Sequence, residues 1–444
     1  MYKMIFKLLV LLSCVLSFSL VNNKALAEDE VTKPELVVGA VLTPNYFIQD
    51  DQTTLGLDYE ILKAYADEKG YTLNIKIFNT LSSLANALNN DEVQLIAGNL
   101  NTDFNKVAPE YATQSYLLEN LVVVAYSEHH KSTVHFPSDS DTVYQAAVFD
   151  YPNLPFSTVK LPVNQNVLYS YVGQNKRVDG RAVDYIITTS NRAKALNQLY
   201  PTVKTFPVLI DSQTQATIND VFFIKNNELR DSFNNFLTDF LESDQYDKIK
   251  FNNLRQLENI GRAESRQFVL NMQTKFNKYS GLFQQYSTNM DWRLVMAVGY
   301  QESRWTPNAV SPWGPSGFMM LTNASAKALG VTNKLDATQS IREGTRLLMR
   351  FKNNLTSDIT GYDRDMYAIS NYNQGIAKII DARTWLKQRN LDPNSWVVLA
   401  QKLPEMSYSK HRYGKINGRL TSEYIINVRR WYFMLLNYIY FYQP

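Results

Sequence analysis

The sequence predicts two domains, an N-terminal α/β domain followed by a mainly α-helical domain. Strand and helix patterns alternate from Leu36 onwards, which indicates βαβ units around a parallel sheet. From about residue 270, apolar residues recur at helical spacing almost to the end of the chain. The 444 residues leave room for about three domains, and 45% hydrophobic residues are enough to fill ordinary cores.

The charge balance excludes one large class of partners. The chain has 45 Lys and Arg residues against 42 Asp and Glu, a net charge of +3, so it lacks the basic surface of nucleic-acid-binding proteins. Four His residues are scattered without metal-ligand spacing, and two of them are adjacent at His129 and His130. We therefore expect no nucleic-acid partner, no metal and no cofactor.

The N-terminus has the pattern of an export signal. Lys3 and Lys7 precede an apolar run over residues 8–21, and Ala25-Leu26-Ala27 resembles a small-x-small cleavage site. The run is too short for a comfortable membrane span, so we expect residues 1–27 to be a signal peptide. The only cysteine, Cys14, ends a Leu-Leu-Ser-Cys stretch that resembles a lipobox, and lipidation there stays open as the alternative.

The α/β pattern can be followed element by element. Strands are predicted at residues 36–39, 73–77, 93–97 and 121–125, and helices at 59–69 and 81–88. Gly70 follows the first of these helices as a C-terminal stop. The strand at 121–125 is expected to lead into a second lobe.

This part of the chain resembles periplasmic solute-binding proteins of the amino-acid-binding type. The resemblance lies in residues 36–39, 56–58, 93–98, 177–187, 221–229 and 244–249. It implies a periplasmic-binding-protein fold over residues 34–255, with two α/β lobes joined by a hinge and a ligand in the cleft. Residues after about 215 are expected to return to the first lobe.

The ligand-binding positions of this family are altered here. Where the family has an arginine for the ligand carboxylate, Thr102 is followed by Asp-Phe-Asn and Lys106. Where the family has an acid for the ligand ammonium, the chain has Thr188 and Thr189. A free α-amino acid is therefore not expected, and a peptide, a muropeptide or no ligand remain open. We interpret Asp58 as structural.

The second half is predicted to be helical. Residues 250–275 are polar with helical spacing and predict a linker helix, and further helices are expected at 292–302, 324–329, 336–354, 365–372, 377–386 and 422–440. The last of these is apolar nearly all round. We prefer a terminal helix packed on the domain to the alternative of a helix at a membrane surface.

Residues 292–322 carry the candidate chemistry. The apolar helix reaches Glu302 and is expected to end at Pro307, and a turn-rich loop should then fold back over the helix end with Trp305 and Trp313 beside the acid. Burial and the negative helix end both raise the pKa of such a carboxyl group. A carboxylic acid that stays protonated near neutral pH can act as a general acid on a glycosidic oxygen. No second Asp or Glu occurs in this stretch, which favours chemistry in which the substrate supplies its own nucleophile.

Three motifs in this half resemble the soluble lytic transglycosylase family. The first consists of Glu302, Ser303, Pro307, Ala309, Ser311, Gly314, Gly317, Met319, Leu321 and Thr322. The second, residues 371–375, resembles Ala-Tyr-Asn-x-Gly, and the third, residues 424–428, resembles Tyr-Val-x-Asn-Ile. The resemblance implies a lysozyme-like fold over residues 268–444 and non-hydrolytic cleavage of the MurNAc–GlcNAc β-1,4 bond of peptidoglycan, which leaves 1,6-anhydro ends. It also implies a protein of the periplasm, peripheral to the outer membrane.

By motif position, the resemblance implies a catalytic role for Glu302 and substrate-binding roles for four other residues, which are Ser311, Tyr372, Asn373 and Tyr424. Many family members have a glutamine at the position of Met320, so a polar substrate contact is expected to be missing. Two alternatives stay open. The helical domain could hold peptidoglycan as a non-catalytic sensor, or the protein could be a two-carboxylate hydrolase, which would leave reducing ends.

Overall fold

The computed structural model describes residues 33–50, 53–126, 144–147, 165–174, 177–178, 181–209, 214–255, 260–408 and 411–442. The predicted signal peptide with Cys14, and the adjacent His129 and His130, lie outside the described residues. Within them, the chain has an α/β part followed by a helical part, as the sequence predicts.

The N-terminal part contains short strands alternating with helices. In chain order they are β1 (Glu35–Val41), β2 (Ile48–Gln49), β3 (Thr54–Leu55), α1 (Leu57–Lys69), β4 (Thr72–Phe78), α2 (Leu81–Asn89), β5 (Leu95–Ala97), a 3₁₀ turn (Pro109–Tyr111), β6 (Leu117–Tyr126), β7 (Tyr144–Ala147), α3 (Gln165–Gly173), β8 (Arg177–Val178), β9 (Arg181–Thr189), α4 (Ser190–Asn197), β10 (Val203–Pro207), β11 (Thr217–Asp220), β12 (Phe223–Ile224), α5 (Asn227–Phe240) and α6 (Asp244–Leu254). Gly70 ends α1 in the left-handed conformation, as its place in the sequence predicts.

Two sheets form two lobes. In the first lobe the strand order is β12-β5-β1-β4, with β1 parallel to both β4 and β5 and β12 antiparallel to β5. In the second lobe the order is β10-β6-β9-β7. The long strand β6 pairs with β11 through its first residues and with β9 through its last ones, so β6 and β11 together connect the lobes. The return of β12 to the first sheet confirms the prediction that residues after about 215 complete that lobe.

The C-terminal part is helical. Its elements are α7 (Arg262–Tyr286), α8 (Trp292–Ser303), α9 (Asn323–Leu329), α10 (Ala337–Asn353), α11 (Gly361–Gln374), α12 (Ile376–Lys387), α13 (Trp396–Met406) and α14 (Gly418–Phe441). The apolar faces of these helices share one core, in which the side chains of Trp305, Trp396 and Trp431 are at most 1% exposed. Two-domain architecture with an α/β first half and a helical second half is therefore confirmed.

Three details differ from the predictions. The predicted linker helix over 250–275 is wrong as a single element, because α6 ends at Leu254 and α7 begins at Arg262. The sequence also gave no prediction for α13, which contains Pro404. Finally, α8 ends at Ser303, within one residue of its predicted end, but it is Arg304, in a left-handed conformation with φ 54°, that ends the helix and not Pro307.

The last helix packs against both domains. Its residues Leu435 and Leu436 are fully buried, and Asn437 Nδ2 donates a hydrogen bond to Asn45 Oδ1 of the first lobe at 3.1 Å. Just beyond the helix, Tyr442 stacks on Tyr200 of the second lobe with ring centroids 5.3 Å apart. The apolar face is thus covered by protein, which confirms packing and not a membrane-surface helix. Among the described helices, none combines the length and apolar character needed to cross a bilayer.

Candidate functional site

The candidate acid lies at the end of α8. Asp291 caps the start of this helix through its side chain, and the helix continues through apolar residues to Ser303. Arg304 and Trp305 then both have positive φ, 54° and 56°, a conformation that is uncommon for residues with side chains. Two contacts hold this turn, one from Trp305 Nε1 to Met296 O at 2.9 Å and one from Lys275 Nζ to Arg304 O at 3.0 Å. One contact comes from within α8 and the other from α7, and together they hold the backbone next to Glu302.

The loop after the helix folds back as predicted. Residues Val310 and Leu321 both form bridges with Ser316, so the loop is a compact hairpin. Gly317 has φ 88°, and a Cβ atom there would lie 1.9 Å from Lys334 O, so only glycine fits. Tyr372 OH donates to Met319 O at 2.6 Å and ties the loop to α11. The loop is thus a rigid part of the site.

Burial makes Glu302 an acid near neutral pH. Its side chain is partly accessible, but the surrounding protein disfavours the charged form and raises the pKa of the carboxyl group from 4.5 to about 7. Tyr424 OH donates a hydrogen bond to Glu302 Oε1, and this bond opposes part of the rise in pKa. Among the described residues, Tyr424 is the only side chain that forms a hydrogen bond with Glu302. The group can therefore give up a proton and take one back at physiological pH.

The structure brings together some of the predicted site residues and not others. Tyr424 reaches Glu302 from α14, and the pKa of Tyr372 is raised by burial and also by the nearby charge of Glu302. The Ser311 hydroxyl instead accepts a hydrogen bond from the backbone N–H of Trp313 at 3.2 Å and stabilises its own turn. Asn373 is exposed on α11. Of the two tryptophans expected beside the acid, Trp305 is fully buried, whereas Trp313 is 90% exposed.

The region between the lobes contains charged residues. Three of them, Glu119, Asp220 and Arg192, were not predicted from the sequence. Asp58 is fully buried and accepts hydrogen bonds from the backbone N–H groups of Gly98 and Asn99, at 2.9 and 2.8 Å, which agrees with its interpretation as structural. Lys106 is exposed. Glu119 and Asp220 are buried instead, and Arg192 with them. The sequence signal that could have identified Glu119 and Asp220 is a charged residue within or beside an apolar strand pattern.

Within the described part of the chain, no group of three or more His, Cys, Asp or Glu side chains is placed to hold a metal ion.

Comparison with known families agrees with both halves of the chain. Residues 36–254 match the profile of the bacterial extracellular solute-binding proteins, family 3. Residues 282–394 match the profile of the transglycosylase SLT domain. The two matches lie in the α/β part and in the helical part, and the second includes Glu302 and its loop.

Curated relatives align with this chain across both of its parts. The membrane-bound lytic murein transglycosylase F of Histophilus somni is 28% identical over 425 residues, which cover 91% of this chain and 85% of the relative. The protein of the same name from Vibrio cholerae is 29% identical over 430 residues, covering 91% and 80%. Among solved structures, the substrate-binding protein of an amino acid ABC transporter aligns with a TM-score of 0.39 and 17% identity, over 50% of this chain and 99% of that one. The chain thus combines a region that matches the family 3 solute-binding profile with one that matches the transglycosylase SLT profile, and over most of its length it is similar to membrane-bound lytic murein transglycosylase F.

Proposed function

We propose that the protein is a peptidoglycan lytic transglycosylase that cleaves the MurNAc–GlcNAc β-1,4 bond without water and forms 1,6-anhydromuramoyl ends. The observation that carries the proposal is Glu302, a single carboxyl group with a pKa of about 7 at the end of a buried helix. One acid is sufficient for this reaction because the muramoyl C6 hydroxyl is the nucleophile, and its attack within the same sugar has the advantage of proximity.

The proton moves twice in the proposed reaction. Glu302 first protonates the glycosidic oxygen, and the bond between that oxygen and the muramoyl C1 breaks. The Glu302 carboxylate then removes the proton from the C6 hydroxyl while the oxygen of that hydroxyl bonds to C1. This step closes the anhydro ring and restores the protonated form of Glu302. A carboxyl group with a pKa near ambient pH is suited to both steps.

The other predicted residues have supporting roles in this proposal. Tyr424 orients Glu302 and stabilises the carboxylate between the two proton transfers. Tyr372 holds the loop through Met319 O and lines the cleft. Ser311 and Asn373 are proposed to contact substrate, which is supported by their motif positions and, for Asn373, by its exposure next to Tyr372.

Product analysis tests the reaction directly. Protein beginning at Glu28 is incubated with purified peptidoglycan, and the soluble products are examined by mass spectrometry. Anhydromuropeptides are the expected products. Products heavier by one water would indicate a two-carboxylate hydrolase, and binding of peptidoglycan without any release would indicate the non-catalytic sensor.

Tyr424→Phe is expected to move the pH profile. The hydroxyl of Tyr424 donates to the carboxylate form of Glu302 and lowers its pKa, so its removal raises that pKa further. Cleavage falls as Glu302 loses its proton, and the alkaline limb of the kcat profile should therefore shift to higher pH by about one unit, with a lower maximum rate. Tyr300→Phe is the matched control, because it deletes a buried tyrosine hydroxyl on α8 that bonds Asn271. An unchanged alkaline limb in Tyr424→Phe would contradict the assignment.

The N-terminal domain is proposed to bind a small ligand and to modulate cleavage. The helix α14 contacts the first lobe through Asn437 and leads to Tyr442 on the second lobe, and the same helix carries Tyr424. A change in lobe arrangement could thus alter the contact between Tyr424 and Glu302. Adding soluble muropeptides to the full-length protein is expected to change the initial rate of anhydro-product release, and a rate independent of them counts against modulation.

We further propose bounds and a location for the mature protein. The family matches at 36–254 and 282–394 lie inside the proposed domains, 34–255 and 268–444, after a signal peptide at 1–27. Peptidoglycan is the proposed partner, and the proposed location is the periplasm, peripheral to the outer membrane. The names of the relatives support membrane association.

A further inference from the structure

A cavity lies between the first lobe and the helical domain. Its volume is about 590 Å³, which is in the usual range for small-molecule sites. Residues 53–55 and Glu60 line it from the first lobe, and residues 287–291 with side chains of α8, α10, α11 and α14 line it from the helical domain. Thr288 and Asn289 are exposed, so the cavity is open to solvent. Neither the candidate acid nor the charged residues between the two lobes line this cavity.

Most of the charged side chains that line the cavity are already paired. Lys352 Nζ lies 2.6 Å from Asp365 Oδ1. Asp291 Oδ2 lies 2.8 Å from the guanidinium of the buried arginine near the start of α8. The other two charged residues are Glu60, on α1 of the first lobe, and Arg429, on α14. These two have opposite charges, but neither forms an ion pair with a described residue.

Contacts with α6 and with an aromatic ring fix the two unpaired side chains. Asn253 Nδ2 donates to Glu60 Oε1 at 2.9 Å, and Arg429 Nη2 donates to the backbone oxygen of the neighbouring Asn252 at 3.1 Å. The guanidinium of Arg429 also lies over Tyr362, with its central carbon 4.8 Å from the ring centroid. Its Nε is buried and has no hydrogen-bond partner among the described residues. The cavity thus holds one cation and one anion in fixed positions.

The surroundings leave both charges incompletely stabilised. Burial raises the pKa of Glu60, and the hydrogen bond from Asn253 and the charge of Arg429 oppose this rise. Burial also raises the pKa of Tyr362 to about 12, so its hydroxyl is neutral and supplies no charge. Ser287 Oγ is a further buried polar atom of the cavity without a described partner. Because unpartnered buried polar groups are unfavourable, a ligand with complementary groups would stabilise this region.

We propose that this cavity is a ligand site between the domains and that it binds a small zwitterion, of the size of an amino acid or a dipeptide. The carboxylate of the ligand pairs with Arg429, because the planar guanidinium fork matches carboxylate geometry. The ammonium group pairs with Glu60. A ligand with only one of the two charges would leave the other side chain unpaired, so both charges are required.

The proposed ligand contacts both domains at once. Glu60 belongs to the first lobe, whereas Arg429 belongs to the helix that also carries Tyr424. The complete site exists only while the two domains are in contact, so the ligand stabilises that arrangement by mass action. The inference goes beyond the proposed reaction, and its test does not require cleavage of peptidoglycan.

Binding of glycylglycine at pH 7 tests the proposal. The protein beginning at Glu28 is titrated with the dipeptide, and the dissociation constant is obtained by saturation-transfer NMR. We expect saturable binding with a Kd on the order of 1 mM or tighter. N-acetyl-glycylglycine lacks the ammonium group and glycylglycine amide lacks the carboxylate. Each should bind at least about tenfold more weakly, because a hydrogen bond between charged groups is lost and one side chain stays unpaired.

Substitutions assign the binding to this cavity. Glu60→Gln and Arg429→Gln each delete one charge, and each should weaken the binding of glycylglycine by at least about tenfold. Glu68→Gln is the control on α1, because Glu68 is exposed and pairs with its neighbour at the surface. Arg430→Gln is the control on α14, because the guanidinium of Arg430 bonds Asn427 on the same helix. Both controls should bind the dipeptide as the native protein does.

Three outcomes would each overturn the site. They are no saturable binding of glycylglycine to the native protein, equal binding of either capped dipeptide, and native-like binding by either Glu60→Gln or Arg429→Gln. In the last case the dipeptide binds elsewhere, as it would in the region between the two lobes. If Arg429→Gln does not fold, Arg429→Lys takes its place, because it keeps the charge but lacks the planar fork, and it should bind at least several-fold more weakly.

Discussion

Glu302→Gln is expected to abolish the release of anhydromuropeptides and, at the same time, to stabilise the protein above pH 7. General acid catalysis contributes about 10²- to 10⁴-fold, and here one carboxyl group supplies both proton transfers, so we expect activity to fall by at least about 10³-fold. The amide of glutamine has nearly the same shape and can still accept the hydrogen bond from Tyr424. The loss is therefore chemical and not structural, and it is measured from the initial rate of product release.

The stability effect has a defined pH dependence. Burial raises the pKa of Glu302 from 4.5 to about 7, so the native state binds this proton more tightly than the unfolded chain does. The resulting stabilisation is fully present below pH 4.5 and is lost as the pH rises through 7. Glutamine never carries the charge, so the variant should match the native protein at pH 4.5 and exceed it at pH 8 by up to about 3 kcal/mol.

Urea unfolding of both proteins at the two pH values measures this difference. Glu405→Gln serves as the control, because Glu405 is exposed and pairs with Lys402 at the surface. The control should show no pH-dependent gain. A Glu302→Gln variant that is equally stable at both pH values, relative to the native protein, would mean that the acid is not held protonated by burial.

Local patterns were sufficient to predict four strands and two helices of the N-terminal part and most helices of the C-terminal part, and to single out Glu302 as the candidate acid. Helices such as α1 and α9 end at Gly70 and Gly330, both in the left-handed conformation that glycine adopts most easily. The position of Glu302 followed from an apolar helix and a turn-rich loop, both of which are local features. The contact with Tyr424 was expected only from the family motif, since 122 residues separate the two in sequence.

Features that depend on long-range packing were not predicted from the sequence. Arg304 and Trp305 end α8 in a conformation that their side chains disfavour, and contacts from Lys275 and Met296 hold it. Glu119 and Asp220 lie on β6 and β11, next to apolar residues that dominate the strand pattern. The fold, and not the local sequence pattern, brings Arg192 close to these acids. The sequence comparison considered only the two family positions that bind the ligand carboxylate and the ligand ammonium. It therefore predicted that charged ligand-binding residues are absent.

The interface between the domains is centred on another buried arginine. Arg293, near the start of α8, is 2% exposed. Its Nε and Nη2 donate to Asp291 at 2.9 and 2.8 Å, and its Nη1 donates to Tyr440 OH at 2.9 Å and to Asp50 of the first lobe. Asp50 also accepts from Tyr440 OH. The helix that carries Glu302 is therefore joined at its opposite end to the N-terminal domain.

Arg293→Ala should be the most destabilising of the substitutions considered. It leaves the carboxylates of Asp50 and Asp291 without their cation, and removing one partner of a buried ion pair costs about 3–5 kcal/mol. Because the lost contacts join two domains, urea unfolding should also change from one transition to two, with the domains unfolding separately. Arg266→Ala, which removes an exposed arginine from α7, should stay within about 0.5 kcal/mol of the native protein.

Asp50→Asn distinguishes the effect of the domain interface from an effect on α8 itself. It removes the charge on the N-terminal side only, whereas Asp291 continues to pair with Arg293 and to cap α8. We expect this variant to lose less free energy of unfolding than Arg293→Ala but to show the same separation into two transitions. If both variants unfold in one transition at the native midpoint, the two domains are held together elsewhere. The contacts at Asn45 and Tyr442 would then be the next to change, because α14 and its end also meet the two lobes there.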